Sequence, residues 1–169
     1  VFDISNPASP NLAQGGTATV TTGSRPRSVY VQGRYAYVVN ANVNSLQIFD
    51  VSNPASPTLV TGGTATTDSL PFSVYVQGRY AYVANNGSNT LQIFDISNPA
   101  SPTLVSGSTV SVGTTPFSVY VQGRYAYVTN FGSASLQVVD VSNPASPTRV
   151  GTVGTGTSPR SVYVQGRFA

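Results

Sequence analysis

The sequence predicts an all-β fold, and three observations lead to that prediction. The segment SVYVQGRYAYV occurs at residues 28–38, 73–83 and 118–128, and its first part returns at 161–169 with Phe in place of one Tyr. In each copy, β-branched and aromatic runs flank Gln-Gly, as in a tight hairpin whose glycine adopts a positive φ. No segment has the 3.6-residue apolar period of a helix, so we expect essentially no helix.

A second block gives the length of the repeat. It contains an Asp followed by x-S-N-P-A-S-P, and it begins at residues 1, 48, 93 and 138. The aspartates of successive blocks follow at intervals of 47, 45 and 45 residues. A repeat of about 45 residues with several short strands is typical of a β-propeller or a β-solenoid.

Each repeat is predicted to hold four strands. In the first complete copy these are strand a at 28–32, strand b at 34–40, strand c at 45–51 and strand d at 58–66. Pro54 and Pro57 cannot donate to a sheet, so SNPASP is the c–d connection. Runs such as YAYV are apolar on both faces of the strand, which indicates a sheet covered on both sides. We therefore favour a β-propeller of four-stranded antiparallel blades over the solenoid.

The expected organisation is a single β-propeller region over residues 1–169. Three complete blades lie at about 25–69, 70–114 and 115–157, with half-blades at 1–24 and 158–169. The chain's ends fall inside predicted strands, so we expect it to be a fragment of a larger propeller. From each block Asp to the next hairpin Pro the spacing is 23, 21, 21 and 19 residues, so we expect one connection per repeat to absorb every insertion.

The segment GRYAYVVNANVNSLQIFDVSNPASP at residues 33–57 resembles the LVIVD repeat, and comparable segments cover nearly the whole chain. The resemblance implies a β-propeller and an exported or surface-associated protein, and it brings no catalytic motif or cofactor. The chain departs from the family in holding fewer complete units than is usual. We accordingly expect an extracellular or cell-surface location.

Composition excludes most catalytic chemistry. The chain has no Lys, Glu, His, Cys, Met or Trp, so it cannot form a Ser-His-Asp triad, a His/Cys zinc site or a lysine Schiff base. We expect that the protein is not an enzyme; the remote alternative is an enzyme whose catalytic residues are only Asp or Tyr. The net charge of +3 comes from scattered arginines, without the basic stripe that indicates nucleic-acid binding. No apolar run is long enough to span a membrane.

The four block aspartates are candidate calcium ligands, but each block supplies one carboxylate where a calcium loop gathers several. We expect these side chains to accept hydrogen bonds from turn N–H groups, and we expect no metal site. Each hairpin arginine is predicted to lie across strands from the Asp of its own repeat. The predicted structural pairs are Arg34–Asp50, Arg79–Asp95 and Arg124–Asp140.

The tyrosines occupy three hairpin positions, those of Tyr30, Tyr35 and Tyr37. They could form an exposed platform for a carbohydrate or peptide. We favour packing between blades, with the hydroxyl groups bonded to polar partners.

The copies differ mainly in two connections. The b–c connections read NANVNS, NNGSNT and NFGSAS, and the d–a connections read GSRPR, DSLPF, GTTPF and GTSPR. In a propeller both lie on one face, where loops often carry binding residues, although unconstrained loops would vary too. The candidate ligand-binding residues are Arg25, Arg27, Phe72, Phe117, Phe131 and Arg160.

These observations predict a non-enzymatic binding or structural module. Its partner would be a protein, a carbohydrate or other copies of the same chain, with recognition through the b–c and d–a loops. The alternative is an assembly unit of a surface layer or filament.

Overall fold

The computed structural model describes residues 1–13 and 19–169. Within those ranges the chain forms short strands and no helix, so no helix is present that could cross a membrane. The strands are β1 (Phe2–Asp3), β2 (Asn11–Leu12), β3 (Pro26–Gln32), β4 (Tyr35–Asn40), β5 (Ser45–Asp50), β6 (Thr58–Thr66), β7 (Pro71–Gln77), β8 (Tyr80–Asn85), β9 (Thr90–Asp95), β10 (Thr103–Leu104), β11 (Val110–Ser111), β12 (Pro116–Gln122), β13 (Tyr125–Asn130), β14 (Ser135–Asp140) and β15 (Thr148–Gly154).

The strands form antiparallel sheets in chain order, which confirms the all-β prediction. The first sheet is β3-β4-β5-β6, and the third is β12-β13-β14-β15. In the second sheet, β7-β8-β9 pairs with a fourth strand that is split into β10 and β11. Strands β1 and β2 form a separate pair, and an isolated bridge joins Gln165 to Phe168.

The repeated segment forms the predicted hairpin. Gln32 pairs with Tyr35 across a two-residue turn, and Tyr30 pairs with Tyr37. Gly33 lies in this turn with φ 60°, a conformation that glycine adopts without steric cost. All four strands of the first sheet begin and end within two residues of their predicted bounds.

The first strand of each sheet has two different sides, because side chains alternate along a strand. In β3, Ser28, Tyr30 and Gln32 contact the next sheet, whereas Val29 and Val31 point the opposite way. We call these the tyrosine side and the valine side. The same names apply to the equivalent residues of β7, β12 and the segment 161–165.

The tyrosine side of each sheet packs against the first strand of the next. Gln32 Nε2 donates to the Gly78 carbonyl at 2.8 Å, and the Val74 amide donates to Ser28 Oγ at 3.2 Å. The same bonds recur one sheet later, from Gln77 to Gly123 at 2.8 Å and from Val119 to Ser73 at 3.1 Å. One set of contacts therefore joins the first sheet to the second and the second to the third.

The apolar core lies between successive sheets. One buried cluster joins Leu46 and Ile48 of the first sheet to Val74 and Val76 of the second, and a similar cluster joins the second sheet to the third. Strand β4 is buried from Ala36 to Asn40 and strand β8 from Ala81 to Asn85, so these central strands are covered on both sides as predicted, whereas Val29 and Val31 of β3 are exposed. Burial of these branched side chains contributes about 1.5–3 kcal/mol each.

The expectation that a connection absorbs the insertions is wrong for the complete sheets. Four residues separate the fourth strand from the next hairpin proline in every case, at 67–70, 112–115 and 155–158. The fourth strand itself varies, because it bulges around Gly62 in the first sheet and Gly107 in the second. Both glycines have a positive φ, 76° and 77°, and both lie against the SNPASP turn of the following sheet.

The bulge predicts different costs for two glycine substitutions. Gly33→Ala adds a methyl group in open space and should cost about 1 kcal/mol of unfolding free energy through its positive φ. Gly62→Ala likewise places a side chain at a positive φ, and its methyl group would in addition overlap the Ala100 carbonyl oxygen. We expect a loss of about 3 kcal/mol, measured by urea unfolding. Equal losses for the two variants would contradict the packing of the bulge on the next sheet.

Candidate functional site

The antiparallel register places the connections at two ends of each sheet. The a–b and c–d turns lie at one end, which we call the hairpin face, since Gln32 pairs with Tyr35 and Asp50 with Thr58. The b–c and d–a connections lie at the other end, which we call the loop face, since Pro26 pairs with Asn40 and Asn40 with Ser45. The connections that differ between copies therefore share the loop face, as predicted.

The three predicted Arg–Asp pairs are all present on the hairpin face. Asp50 lies directly opposite Tyr35 in the sheet, and the guanidinium of the preceding Arg34 forms an ion pair with its carboxylate. The second and third sheets repeat this geometry with Arg79–Asp95 and Arg124–Asp140. Each arginine also lies over the ring of the following tyrosine, at 5.2–5.4 Å from guanidinium carbon to ring centroid.

The block aspartates also accept the predicted turn hydrogen bonds. Asp50 Oδ1 accepts from the Ser52 amide at 2.9 Å and from Ser52 Oγ at 2.6 Å, and Asp95 accepts from the Ser97 amide at 2.9 Å. The bond from the hairpin arginine is the main reason that the pKa of Asp50 and of Asp95 falls to about 2, with the serine bonds lowering it further. The pKa of Asp140 is lowered for the same reasons.

These depressed pKa values predict a loss of stability in acid. The folded carboxylates bind protons more weakly than the unfolded ones, so their contribution is complete above about pH 4 and is lost as the pH falls toward about 2. Replacing Asp50 and Asp95 by Asn should flatten the fall in unfolding free energy over that range, measured by urea unfolding at several pH values. An unchanged pH profile in the variant would contradict the role of the pairs.

The described residues contain no group of three His, Cys, Asp or Glu side chains that could hold a metal ion. Each block Asp is the single carboxylate of its turn, and its pKa is lowered, whereas a catalytic acid is usually recognised by a raised one.

The tyrosines are used mainly in packing between sheets. The rings of Tyr30, Tyr75 and Tyr120 follow one another with centroids 4.7 and 4.8 Å apart, and Tyr163 continues the series 5.3 Å from Tyr120. Burial and hydrogen bonding to its two neighbours raise the pKa of Tyr75. Tyr37 is buried as well. The packing interpretation is thus confirmed for these positions, and Tyr163 alone among them is largely exposed.

The loop face brings five of the six candidate residues into contact. The Arg27 guanidinium lies 4.4 Å from the Phe72 ring centroid, and the Phe72 and Phe117 rings meet edge to face at 5.5 Å. Phe131 lies 6.0 Å from Phe117, and the Arg160 guanidinium is 5.1 Å from both of these rings. We call these five residues the Arg–Phe cluster. It runs from the first sheet to the segment that follows the third, with a guanidinium at each end and half-buried rings between.

Arg25, the sixth candidate, lies beside the cluster rather than in it. Its backbone has φ 57°, and its carbonyl accepts a hydrogen bond from the Ala41 amide at 2.9 Å. Leu70, Thr115 and Ser158 occupy the equivalent positions with similar φ values of 47–60°. The Arg25 side chain is exposed on the same face, where it adds to the positive charge.

Asparagines that sequence reasoning did not single out hold the loops in place. Asn44 Oδ1 accepts from the Leu70 amide at 2.9 Å, and Asn89 Oδ1 accepts from the Thr115 amide at 2.7 Å. Both asparagines lie in the left-handed region, which Asn tolerates better than most residues. Ala134 takes the third position and has no side-chain amide oxygen with which to repeat the bond. Asn at the end of the first two b–c connections was the available signal.

A network of side-chain amides inside the sheets holds the same loops in place. Gln47 Oε1 accepts from the Gly23 amide at 2.8 Å and from Asn40 Nδ2 at 3.0 Å, and Gln92 accepts in the same way from Asp68 N and Asn85 Nδ2. The loop face is therefore built on a fixed polar layer.

Charge is distributed unevenly between the two faces. The hairpin arginines are matched by an equal number of block aspartates, so the hairpin face is nearly neutral. The loop face carries Arg25, Arg27 and Arg160 against Asp68 alone, and Asp68 accepts a hydrogen bond from Thr90 Oγ1 at 2.8 Å. Among the described residues, none of these three arginines forms an ion pair.

Three clefts border these features. One of 340 Å³ is lined by Arg27, Ser28 and Val29 and joins the cluster to the valine side of β3. One of 420 Å³ lies on the hairpin face between Arg34 and Arg79. One of 460 Å³ lies between residues 1–13 and the c–d turn of the first sheet.

Repeated four-stranded antiparallel sheets that pack face to face define a β-propeller-like repeat protein. The chain belongs to the LVIVD repeat family, whose model matches residues 1–15, 25–63, 72–109 and 116–155. The family resemblance stated from residues 33–57 is thereby confirmed. No curated protein sequence is significantly similar to the chain.

Solved structures share the fold at low sequence identity. A functionally unknown protein from Desulfotomaculum acetoxidans is similar with a TM-score of 0.71 and 18% identity, over 81% of this chain and 44% of that one. The periplasmic gluconolactonase of Pseudomonas aeruginosa is similar with a TM-score of 0.67 and 21% identity, over 80% of this chain and 41% of that one. The computationally designed Ika4 protein is similar with a TM-score of 0.69 and 7% identity, over 86% of this chain and 83% of that one. The chain thus spans less than half the length of these two natural proteins.

Proposed function

We propose that this chain is a non-enzymatic binding module that recognises a negatively charged ligand through its loop face. The observation that carries the proposal is the Arg–Phe cluster, which collects side chains from three sheets and the segment after them, at the positions where the copies differ. The ligand would be an acidic segment of a protein or an acidic carbohydrate. The module would act outside the cell or on its surface.

The geometry of the cluster suits an anion. Each guanidinium lies against a phenylalanine ring, which holds it in place through a cation–π contact. The N–H groups of a stacked guanidinium remain available, and they match a carboxylate in a two-bond arrangement. The half-buried Phe72 and Phe117 rings between the two arginines would pack against apolar parts of the same ligand.

The surroundings favour the same ligand. Asp68 is the single carboxylate on the loop face, so an incoming anion would meet a positive field. The asparagine bonds and the buried glutamine layer fix the loops before a ligand arrives. A fixed site loses less conformational entropy on binding, which increases affinity.

A second candidate function is assembly, and the exposed apolar side of β3 favours it. Val29 and Val31 on the valine side of β3 are exposed. The equivalent Val74 and Val76 of the second sheet are buried. An assembly unit would cover these surfaces with another chain.

Binding to two acidic probes tests the recognition role. We expect hexaglutamate or tetragalacturonate to bind at low salt, measured by calorimetry, and the affinity to fall as salt is added. The double variant Arg27→Ala, Phe72→Ala should weaken binding about 10-fold or more, because it removes a guanidinium and the ring that orients it.

Arg149→Ala is the matched control for charge. Arg149 is exposed on β15, away from the cluster, so its loss should leave the affinity almost unchanged. Failure of both probes to bind, or an equal loss in the control, would contradict recognition at the loop face.

A further inference from the structure

We propose that oxidation joins successive sheets covalently, through dityrosine cross-links between Tyr30, Tyr75 and Tyr120. We call these three residues the tyrosine stack. The co-reactant is a one-electron oxidant, such as the oxidised form of a peroxidase that consumes hydrogen peroxide. The inference concerns the first strands of the sheets, and it is independent of ligand recognition by the loop face.

Tyrosine is the most easily oxidised side chain that this chain contains. The sequence has ten tyrosines and no Cys, Met, Trp or His, which are the other side chains that common oxidants attack. Oxidising equivalents that reach the protein therefore collect on tyrosine. Without cysteine no disulfide can form, so a covalent link between sheets would need another kind of side chain.

The ring geometry of the tyrosine stack is close to that of a cross-linked pair. The centroids of Tyr30 and Tyr75 are 4.7 Å apart and their planes are tilted by 51°, and Tyr75 and Tyr120 repeat this arrangement at 4.8 Å and 51°. Two phenol rings joined by a carbon–carbon bond are also twisted relative to each other, and their centroids lie only slightly closer. Bond formation therefore needs a small movement of side chains that are already in contact.

The hydroxyl groups bring the reactive carbons together. The Tyr75 hydroxyl is hydrogen-bonded with those of Tyr30 and Tyr120. The carbons that couple in dityrosine are the ortho carbons, which are bonded to the carbon that carries the hydroxyl. Neighbouring hydroxyls therefore place ortho carbons side by side. The same hydrogen bonds give the phenolic proton an acceptor when its ring loses an electron, because a hydroxyl oxygen has lone pairs as well as a proton.

The reaction balances with two one-electron oxidations. Each of two neighbouring tyrosines loses one electron and its phenolic proton, and becomes a tyrosyl radical. The two radicals form a carbon–carbon bond between their ortho carbons, and the hydrogens on those carbons move to the phenol oxygens as the rings become aromatic again. The pair has then lost two protons and two electrons, which reduce one molecule of hydrogen peroxide to two of water.

Exposure and ring contacts distinguish the stack from the other tyrosines. Its three members are half-buried, so a small oxidant can reach them, whereas Tyr37 and Tyr82 are each 3% exposed. Tyr80 is half-buried as well, but in the described part of the chain its ring contacts the Arg79 guanidinium and no other tyrosine ring. Tyr163 meets its neighbour closer to edge to face, at 71°, which aligns the ortho carbons less well.

A cross-link within the stack would strengthen the contact that joins the sheets. Tyr30 and Tyr75 occupy equivalent positions in successive repeats, so a bond between them closes a loop of one whole repeat. Closing a loop of that length lowers the conformational entropy of the unfolded chain, as a disulfide does. The oxidised protein should therefore unfold at a higher urea concentration than the untreated protein.

Photo-oxidation of the dilute protein tests the inference. Tris(bipyridyl)ruthenium(II) and persulfate under visible light generate a small one-electron oxidant, and persulfate takes up the electrons. We expect the blue emission of dityrosine in a single chain that has lost two hydrogen atoms per link, together with a higher urea midpoint. Trypsin cleaves after arginine, so the two links give different products: residues 28–34 joined to 35–79, and 35–79 joined to 80–124.

Two phenylalanine variants locate the links. Tyr75→Phe keeps a ring in the stack but has no hydroxyl to lose a proton, so it should lose both linked products and most of the emission. Tyr80→Phe is the matched control, since Tyr80 is also half-buried and lies in the hairpin of the same sheet. It should give the linked products and the emission of the unmodified protein. Circular dichroism checks that both variants fold.

Emission that Tyr75→Phe leaves unchanged would overturn the inference, and so would linked peptides found only in species of two chains. Absence of dityrosine from the oxidised unmodified protein, or an unchanged urea midpoint of the cross-linked chain, would overturn it as well. Binding of the acidic probes is measured separately on the untreated protein, and none of these outcomes alters it.

Discussion

The contact between the first strands of successive sheets is the constraint on which the structure depends. An isolated four-stranded sheet with apolar residues on both faces cannot cover itself, so each sheet needs a neighbour on either side. Alternation along a strand gives that contact a direction, with Ser, Tyr and Gln facing one neighbour and two valines facing the other. Three contacts then fix each sheet on the next: a tyrosine stack, a glutamine bond to a turn carbonyl and a serine bond to a valine amide.

This arrangement separates the residues that hold the sheets together from the residues that differ between copies. The hairpin face has little freedom to change, because its glycine turns accept bonds from the neighbouring sheet and its arginines and aspartates neutralise each other. The loop face is held by asparagine and glutamine side chains that lie beneath it, so its outermost residues can differ between copies without loss of packing. Charge and aromatic rings consequently accumulate there, as the Arg–Phe cluster shows. The directional contact also leaves unlike surfaces at the two ends of the array.

Much of this could be predicted from the sequence, because the repeats identify equivalent residues. Strand bounds, the hairpin turn and the Arg34–Asp50 pair all follow from alternation and turn chemistry within one repeat. The bulge at Gly62 could not be predicted, since it depends on the carbonyl of Ala100 in the next sheet. The split of β10 from β11 depends on Ser108 Oγ, which bonds to the Ile93 backbone in place of a ladder partner. Contacts between the side chains of the Arg–Phe cluster likewise depend on how far adjacent sheets are rotated.

The stability of two tyrosine variants tests most directly whether contacts between first strands hold the array together. Tyr75 stacks between Tyr30 and Tyr120, whereas Tyr125 is also half-buried but contacts the Arg124 guanidinium of its own hairpin. Tyr75→Ala should lower the free energy of unfolding by about 3 kcal/mol, and Tyr125→Ala should lower it by about 1 kcal/mol or less. Equal losses in urea unfolding would contradict the account, because they would show that the stack between sheets adds nothing beyond ordinary burial of a ring.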